Sequence, residues 1–380
     1  MDMNIGTSPA DKEVLEFDSQ TDEEEISSNG GIYPYDPTKA DIDIREDPQT
    51  VYELIVRKYD QGKLILNPDF QRNSVWKKSQ QSQFIESILL NFPLPPLYVN
   101  QNDEGKYVIV DGLQRINAMR AFIKNEFRLD GLRALVYLNG KNFNELKILP
   151  GELQVKFEDK KLTLYIIKPS TPLTVVYDIF NRINTGGTQL SRQEIRNCIY
   201  LGKSTKLLKK LAHSKEFEIA VDKGVSDQRM KAQEMVLRYL AFRIFDYKKD
   251  YKGDMSDFVE NAMRTINKDF SEKQINGLEK DFLRVMKITF EFFGKENFRF
   301  PTSQTRGTIN MAVFETVSYF FSINDDDFIK KNKRNIIKNF KYLLQNPGYK
   351  DAVTRATGDK NRVVTRFGLV QVLLANNTRQ

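Results

Sequence analysis

The sequence has few of the residues on which many catalytic sites and cross-links depend. It contains one cysteine, Cys198, and one histidine, His213. A single cysteine cannot form a disulfide within the chain, so a reducing, cytoplasmic location is expected. A histidine-dependent triad needs a nucleophile and an orienting acid, and neither is identifiable near His213. HNH-type nuclease centres and histidine-rich metal sites need more than one histidine, so we expect His213 to serve in packing or at the surface.

Long apolar runs are also missing. None approaches the roughly 20 residues that cross a bilayer, which argues against a membrane span. The segment Met1–Ile5 has neither a basic start nor an apolar stretch after it, which argues against a signal peptide. We therefore expect no membrane partner.

Charge is distributed unevenly along the chain. Residues 1–50 contain 14 acidic and 3 basic residues, a net charge of −11, and the remaining residues carry +18 within a total of +7. A basic body with an acidic tail favours a polyanionic partner such as DNA. Solvated lysine-rich helices are an equally good explanation, so charge alone does not establish DNA binding.

Hydrophobic periodicity predicts the organisation of the chain. Residues 1–38 are acidic and polar, which is typical of a disordered tail. Helix and strand signals alternate over residues 39–198, which indicates an α+β domain. Residues 199–380 carry apolar residues at helical spacing and few strand signals, which indicates a mostly α-helical C-terminal domain.

The segment Val110–Arg115 is the most informative part of the sequence. It follows the apolar run Tyr107–Val110 and leads into an amphipathic stretch, which predicts a strand, a tight turn and a helix. Helix N-termini attract anions through unpaired N–H groups, and an arginine adds a fork that fits phosphate. A phosphate site is therefore expected at this turn.

Two apparent catalytic motifs are less convincing. Gly202-Lys203-Ser204 resembles the end of a P-loop, but Asn197 stands where that motif needs glycine. Asp69 and Glu104 could be combined with a lysine into an acidic nuclease site. However, Glu104 falls in a predicted hairpin turn, where polar residues are expected in any case.

Two polar clusters accompany the Val110–Arg115 segment. One is Asn67–Trp76, which contains Gln71 and Arg72. The other is Phe180–Ser191, which contains Asn184 and ends at a predicted helix cap formed by Ser191 and Glu194. Turns and caps could explain much of both clusters without a catalytic role.

Together these segments resemble the GmrSD-type restriction family, also described as domain of unknown function 262 with its DGQQR motif. The resemblance covers roughly residues 45–200. It rests on four ordered segments: Asn67–Arg72 with Trp76, Phe92–Pro96, Val110–Arg115 and Phe180–Ser191. The resemblance implies a ParB/sulfiredoxin-like fold for the N-terminal domain.

Members of this family look like NTP-binding and NTP-hydrolysing modules of bacterial systems that restrict foreign DNA. Carried over by position, the catalytic residues would be Asp111, Gln114 and Arg115. Asp111 would also hold Mg²⁺. The resemblance implies the following residues for binding the nucleotide, which could be GTP, ATP or CTP: Gln71, Arg72, Gly112, Arg115 and Asn184.

The sequence departs from the family in two ways. Leu113 stands where the family usually has glutamine. If that glutamine only fills the turn, its loss has little effect; if it orients a water or the base, hydrolysis is affected while binding survives. Many relatives also carry a separate C-terminal HNH-type nuclease domain, which a chain with one histidine lacks.

Three hypotheses therefore stay open: a nucleotide-dependent enzyme of anti-phage defence, a non-catalytic DNA-binding module that acts with a nuclease in trans, and a nuclease itself. The oligomeric state also stays open, with a homo-oligomer as one option.

Overall fold

Internal contacts divide the chain into two units, with a boundary in the sequence between Ile199 and Tyr200. We call residues 33–199 the sheet unit and residues 200–380 the helical unit. The computed structural model describes residues 42–66, 76–102, 104–183, 191–225, 227–300 and 307–375. The predicted acidic tail, residues 1–38, lies outside these ranges.

The sheet unit alternates strands and helices. Its described strands are β1 Ile44–Thr50, β2 Leu64–Ile65, β3 Leu97–Gln101, β4 Tyr107–Asp111 and β5 Lys161–Ile167. Its α-helices are α1 Lys78–Leu89, α2 Leu113–Ile123, α3 Leu153–Glu158, α4 Leu173–Ile183 and α5 Arg192–Ile199. A π-helix, Glu53–Tyr59, and two 3-10 helices, Val136–Leu138 and Asn144–Ile148, complete it.

The strands form one mixed sheet in the order β1-β5-β3-β4-β2. β1 and β5 are antiparallel, β5 and β3 are parallel, β3 and β4 form an antiparallel hairpin, and β4 and β2 are parallel. Gly105 closes the hairpin turn by donating its N–H to the carbonyl oxygen of Asn102 at 2.9 Å. The end of β4 lies beside β3, whereas β2 pairs only with Tyr107 and Val108 at the start of β4.

Alternating residues of the central strands form the core of the sheet unit. Leu97 and Val99 of β3 are buried, as is Ile109 of β4. They belong to one apolar cluster with Ile88 of α1 and Phe122 of α2. Because successive strand residues point to opposite faces, Tyr98 lies away from this core. The register of β3 with β4 shifts between Tyr98 and Val99, and this irregularity pairs Asp111 with Tyr98.

A buried carboxylate ties α1 to the loop that follows α2. Glu86 is 6% exposed. Its carboxylate accepts the backbone N–H groups of Arg133, Ala134 and Leu135 at distances of 2.7–3.2 Å. Burial raises the pKa of the Glu86 carboxyl, but the three backbone hydrogen bonds outweigh burial and lower the pKa. The folded state therefore stabilises the ionised form.

We predict that Glu86→Gln lowers the free energy of unfolding of the sheet unit at neutral pH by about 1–3 kcal/mol. The folded pKa of Glu86 lies below its unfolded value of about 4.3, so its contribution is complete above that value and is lost as pH falls through the folded pKa. The difference between variant and native chain should consequently shrink in acid. Urea denaturation followed by fluorescence of Trp76, the only tryptophan, measures it.

The exposed carboxylate of Glu126 provides the control for this experiment. It lies 3.5 Å from Arg120 and is 46% exposed, so Glu126→Gln should have little effect at any pH. A stability loss for Glu86→Gln that stays constant from neutral to acidic pH would contradict the assigned role.

The helical unit consists of consecutive helices. They are α6 Lys203–Ala212, α7 Lys215–Ala220, α8 Lys231–Ile244, α9 Met255–Lys268, α10 Glu272–Phe293, α11 Met311–Ile323, α12 Asp326–Lys331, α13 Lys333–Gln345, α14 Pro347–Thr354 and α15 Lys360–Ala375. Several begin at a side chain that accepts a first-turn N–H group: Ser214, Asp254, Ser271, Asn310, Asp325 and Asn346. These caps explain why the sequence breaks into many separate helices.

A buried ion network joins three of these helices. Glu315 of α11 is 1% exposed at its side chain. It contacts Arg366 of α15 at 2.8 Å and Arg238 of α8 at 3.2 Å. Arg238 also contacts Glu234 at 3.2 Å. Aromatic and aliphatic side chains of the same helices form the surrounding core.

The α+β architecture with a mostly helical second half, which the sequence predicts, is confirmed. Across the described ranges, no helix combines the length and the apolar character required to cross a membrane.

Candidate functional site

The predicted strand, turn and helix are present around Gly112. β4 ends at Asp111, Gly112 adopts a left-handed conformation with φ = +99°, and α2 begins at Leu113. The first helical hydrogen bond runs from the Ile116 N–H to the Gly112 carbonyl at 3.0 Å. The N–H groups before it, those of residues 113–115, have no hydrogen-bond acceptor within the described ranges. As far as the structure describes the chain, an open helix N-terminus therefore follows directly after the Asp111 carboxylate.

Arg115 folds back over this turn. Its Nη2 donates to Asp111 Oδ2 at 2.6 Å and to the Pro96 carbonyl at 3.1 Å. Its Nη1 donates to the Pro95 carbonyl. The Arg115 side chain is only 12% exposed, whereas that of Asp111 is 37% exposed. Arg115 thus connects the turn to the proline-rich loop before β3.

The surroundings of Arg115 are partly shielded from water. Burial lowers the pKa of its guanidinium, and the Asp111 carboxylate acts in the opposite direction. Burial also raises the pKa of the neighbouring Tyr98 hydroxyl, with smaller contributions from Tyr165 and Asp111. Electrostatic interactions at this turn are consequently stronger than on an open surface.

Gln114 connects the turn to the first motif segment, through Trp76. Its Oε1 accepts the backbone N–H of Trp76 at 3.3 Å. Gln81 of α1 donates to the Trp76 carbonyl at 3.2 Å, and the Trp76 ring contacts Phe84 edge-on with centroids 5.5 Å apart. Trp76 is therefore held by both α1 and α2.

Two tyrosines extend the site across the sheet. Tyr98 lies opposite Asp111 in the pairing of β3 with β4, and Tyr165 lies beside Tyr98 in the pairing of β3 with β5. Their rings stack with centroids 5.3 Å apart. The row Asp111, Tyr98 and Tyr165 thus combines a carboxylate with a partly buried aromatic pair.

The fourth motif segment reaches the same sheet through α5, which contacts β4. The predicted cap is present: Glu194 Oε2 accepts the Ser191 N–H at 2.6 Å, and Ser191 Oγ accepts the Glu194 N–H at 3.2 Å. Asn184 lies outside the described residues, as do Gln71 and Arg72. The structure therefore brings together Asp111, Gly112, Gln114 and Arg115, and the other expected ligands stay predictions.

Among the described residues, one carboxylate oxygen of Asp111 has no partner. Oδ2 is bound to Arg115, whereas Oδ1 has no hydrogen bond to any described part of the chain. Within those parts, no group of three or more histidine, cysteine, aspartate or glutamate residues is arranged to hold a metal ion. A metal at this turn would have to rely on Asp111, water and a bound ligand.

Sequence reasoning missed the two tyrosines and the proline carbonyls. Alternation in β3 and β5 places Tyr98 and Tyr165 away from the core, which was a usable signal. Their adjacency depends on the parallel pairing of β3 with β5, which local sequence patterns do not specify. Backbone carbonyls such as those of Pro95 and Pro96 carry no side-chain signal at all.

Comparison with known proteins supports this assignment of segments. Residues 51–201 match the family model described as GmrSD restriction endonuclease, N-terminal domain. Comparison of the chain with curated proteins and with solved structures found no match. The matched range contains the whole Asp111–Arg115 turn and ends next to the boundary between the two units. Residues 51–201 thus form a domain of the GmrSD restriction endonuclease N-terminal family.

Proposed function

We propose that the sheet unit binds a Mg²⁺–nucleoside triphosphate at the turn between β4 and α2, and that the chain associates with DNA within a restriction system. The observation that carries the nucleotide proposal is the open N-terminus of α2 beside the half-engaged carboxylate of Asp111. Unpaired N–H groups and the helix dipole attract phosphate oxygens.

The carboxylate suggests why a metal ion would accompany the nucleotide. A phosphate at the start of α2 would lie close to the negative charge of Asp111, which repels it. Mg²⁺ would offset this repulsion, because it commonly uses one or two carboxylates together with waters and substrate phosphates. Asp111 Oδ1 is the group that we assign to the hydrated ion.

Arg115 and Gln114 would act mainly through positioning. The Arg115 guanidinium holds the Asp111 carboxylate and two loop carbonyls, so we assign it the orientation of Asp111 together with a nearby positive charge. The Gln114 carbonyl oxygen is engaged with Trp76, which leaves its amide nitrogen as the group that would contact an attacking water. Gln71, Arg72 and Asn184 complete the proposed nucleotide ligands.

We predict that Asp111→Asn weakens binding of the Mg²⁺ complexes of ATP, GTP or CTP by about ten- to hundredfold, the usual effect of removing an outer-shell metal ligand. The measurement is thermal stabilisation of the purified chain. A ligand at a hundredfold excess over Kd adds about 2.7 kcal/mol to the stability of the folded state. Stabilisation should also require Mg²⁺ and disappear with a chelator.

Glu104→Gln is the matched control for this experiment. Glu104 is an exposed carboxylate that pairs with Lys106 at 2.7 Å in the turn before β4, at the opposite end of the strand from Asp111. Its substitution should leave nucleotide binding unchanged. Absence of stabilisation by every nucleotide, or equal affinities of Asp111→Asn and the native chain, would disprove the nucleotide proposal.

A specific observation also favours a second function, that of a non-catalytic DNA-binding module which acts with a nuclease in trans. The Gln114 and Arg115 side chains form hydrogen bonds within the domain, so the fold alone can explain much of the motif. Release of phosphate from a bound nucleotide, measured with and without DNA, separates the two functions. Binding without turnover in either condition supports the non-catalytic module.

A further inference from the structure

One face of α13 is strongly basic. The segment from Phe328 to Lys350 contains no acidic residue and seven basic ones: Lys330, Lys331, Lys333, Arg334, Lys338, Lys341 and Lys350. Ile336, Phe340, Leu343 and Leu344 cover the opposite face of the helix and are buried in the core of the helical unit. The basic side chains of α13 therefore point toward solvent.

The spacing of these residues produces a continuous stripe. Arg334, Lys338 and Lys341 follow one another at intervals of four and three, which places them on one side of an α-helix. All three are exposed. Tyr342 is 54% exposed, and the Lys338 ammonium lies 5.8 Å from the centre of its ring.

The stripe continues onto α10. Lys333 binds Glu291 of α10 at 2.6 Å. Lys333 lowers the pKa of the Glu291 carboxyl most, and the positive charges of Lys287 and Lys330 lower it further. We call the surface formed by Lys287, Lys330, Lys331, Lys333, Arg334, Lys338 and Lys341 the basic face. Apart from Lys333, none of its members forms a salt bridge within the described ranges.

We propose that the basic face binds the phosphate backbone of duplex DNA without reading its sequence. The proposal rests on the DNA association in the proposed function and assigns that association to a surface. Lysine and arginine contacts to phosphates release condensed counterions, and this release drives non-specific DNA binding. A membrane surface fits less well, because the apolar side of α13 is buried and is not free to enter a lipid interface.

The test compares two variants of the full chain that lose equal charge. The first is Lys330→Gln/Arg334→Gln/Lys338→Gln/Lys341→Gln. The control is Lys249→Gln/Lys252→Gln/Lys273→Gln/Lys360→Gln, which changes exposed lysines outside the basic face. Glutamine is a good helix former, so both variants should fold. Circular dichroism confirms this before binding is measured.

Binding is followed by fluorescence anisotropy of a labelled random-sequence duplex across salt concentrations. The basic-face variant should lose about tenfold to a thousandfold in affinity, and its salt slope should fall by about one for each phosphate contact removed. The control variant should bind like the native chain.

Each other outcome has a distinct meaning. If both variants bind duplex DNA like the native chain, the basic face is not the DNA-binding surface. The proposed function is unaffected by that result. If the native chain binds no DNA at low salt, the DNA part of the proposed function and the basic face both fail, and nucleotide binding is unaffected. Preference of the basic face for RNA or for anionic vesicles over duplex DNA overturns the assignment of its partner.

Discussion

Gly112→Ala should lower the free energy of unfolding of the sheet unit by about 2–5 kcal/mol, because backbone strain and steric overlap add at this position. The φ angle of Gly112 is +99°, and left-handed backbone costs other residues about 1–2 kcal/mol. An added Cβ would also lie 2.1 Å from Cδ2 of Leu97. Leu97 is 2% exposed, so the crowded core resists its displacement, and overpacking costs about 1–3 kcal/mol.

Gly62→Ala separates these two contributions. Gly62 belongs to the same unit and has φ = +69°, but an added Cβ there would meet no atom within 4 Å. Its substitution should cost only the backbone contribution of about 1–2 kcal/mol. Urea denaturation monitored through Trp76 measures both variants, and equal losses at the two positions would contradict the assigned overlap with Leu97.

The same turn supports the fold and the proposed site. A shift of Gly112 away from Leu97 would move the start of α2 relative to Asp111, and with it the N–H groups that we assign to phosphate. Gly112→Ala should therefore also reduce nucleotide stabilisation, even under conditions where the variant remains folded. Gly62→Ala should leave that stabilisation unchanged.

Local patterns in the sequence were sufficient to predict this turn. An apolar run, a glycine and an amphipathic stretch predict a strand, a tight turn and a helix, which the structure shows over Tyr107–Ile123. The cap formed by Ser191 and Glu194 followed from residue spacing in the same way. Both features depend on hydrogen bonds between residues that are close in the sequence.

The partners of Arg115 could not be predicted in this way. A guanidinium at a helix N-terminus indicates N–H groups that are available to a phosphate. In the structure, Nη1 and Nη2 of Arg115 already donate to the carbonyls of Pro95 and Pro96. That contact requires β3 to pair with β4 so that the proline loop ends beside the turn. Pairing over such distances is set by the packing of the whole sheet.

Buried charge in the helical unit was equally hidden in the sequence. Glu315 and Arg366 are separated by 51 positions, and each resembles a solvated charge on an amphipathic helix when its own segment is read alone. Only the packing of α8, α11 and α15 shows that both are buried together with Arg238. The contribution of Glu315 and Arg366 to stability can therefore be inferred from the structure but not from the sequence.

Glu315→Gln should destabilise the helical unit by about 3–5 kcal/mol, the usual effect of breaking a buried ion pair. Glutamine keeps the shape of the side chain, so this loss reports the missing charge next to the guanidinium groups of Arg366 and Arg238. Glu234 contacts Arg238 and is more exposed than Glu315, at 15% against 1%, so Glu234→Gln should cost less than Glu315→Gln. Urea denaturation followed by far-ultraviolet circular dichroism measures these differences.

A double variant tests whether uncompensated charge is the cause. Replacing a buried ion pair by apolar residues of similar volume is often neutral or stabilising. Glu315→Met/Arg366→Met should therefore recover most of the stability that Glu315→Gln loses, while Arg238 keeps its contact with Glu234. If the double variant is as unstable as Glu315→Gln, the network contributes through hydrogen bonding and shape, and the electrostatic explanation is wrong. Recovery would show that the helical unit tolerates apolar side chains at both positions. It would also show that stability is lost when one partner of the ion pair is removed and the other charge stays buried.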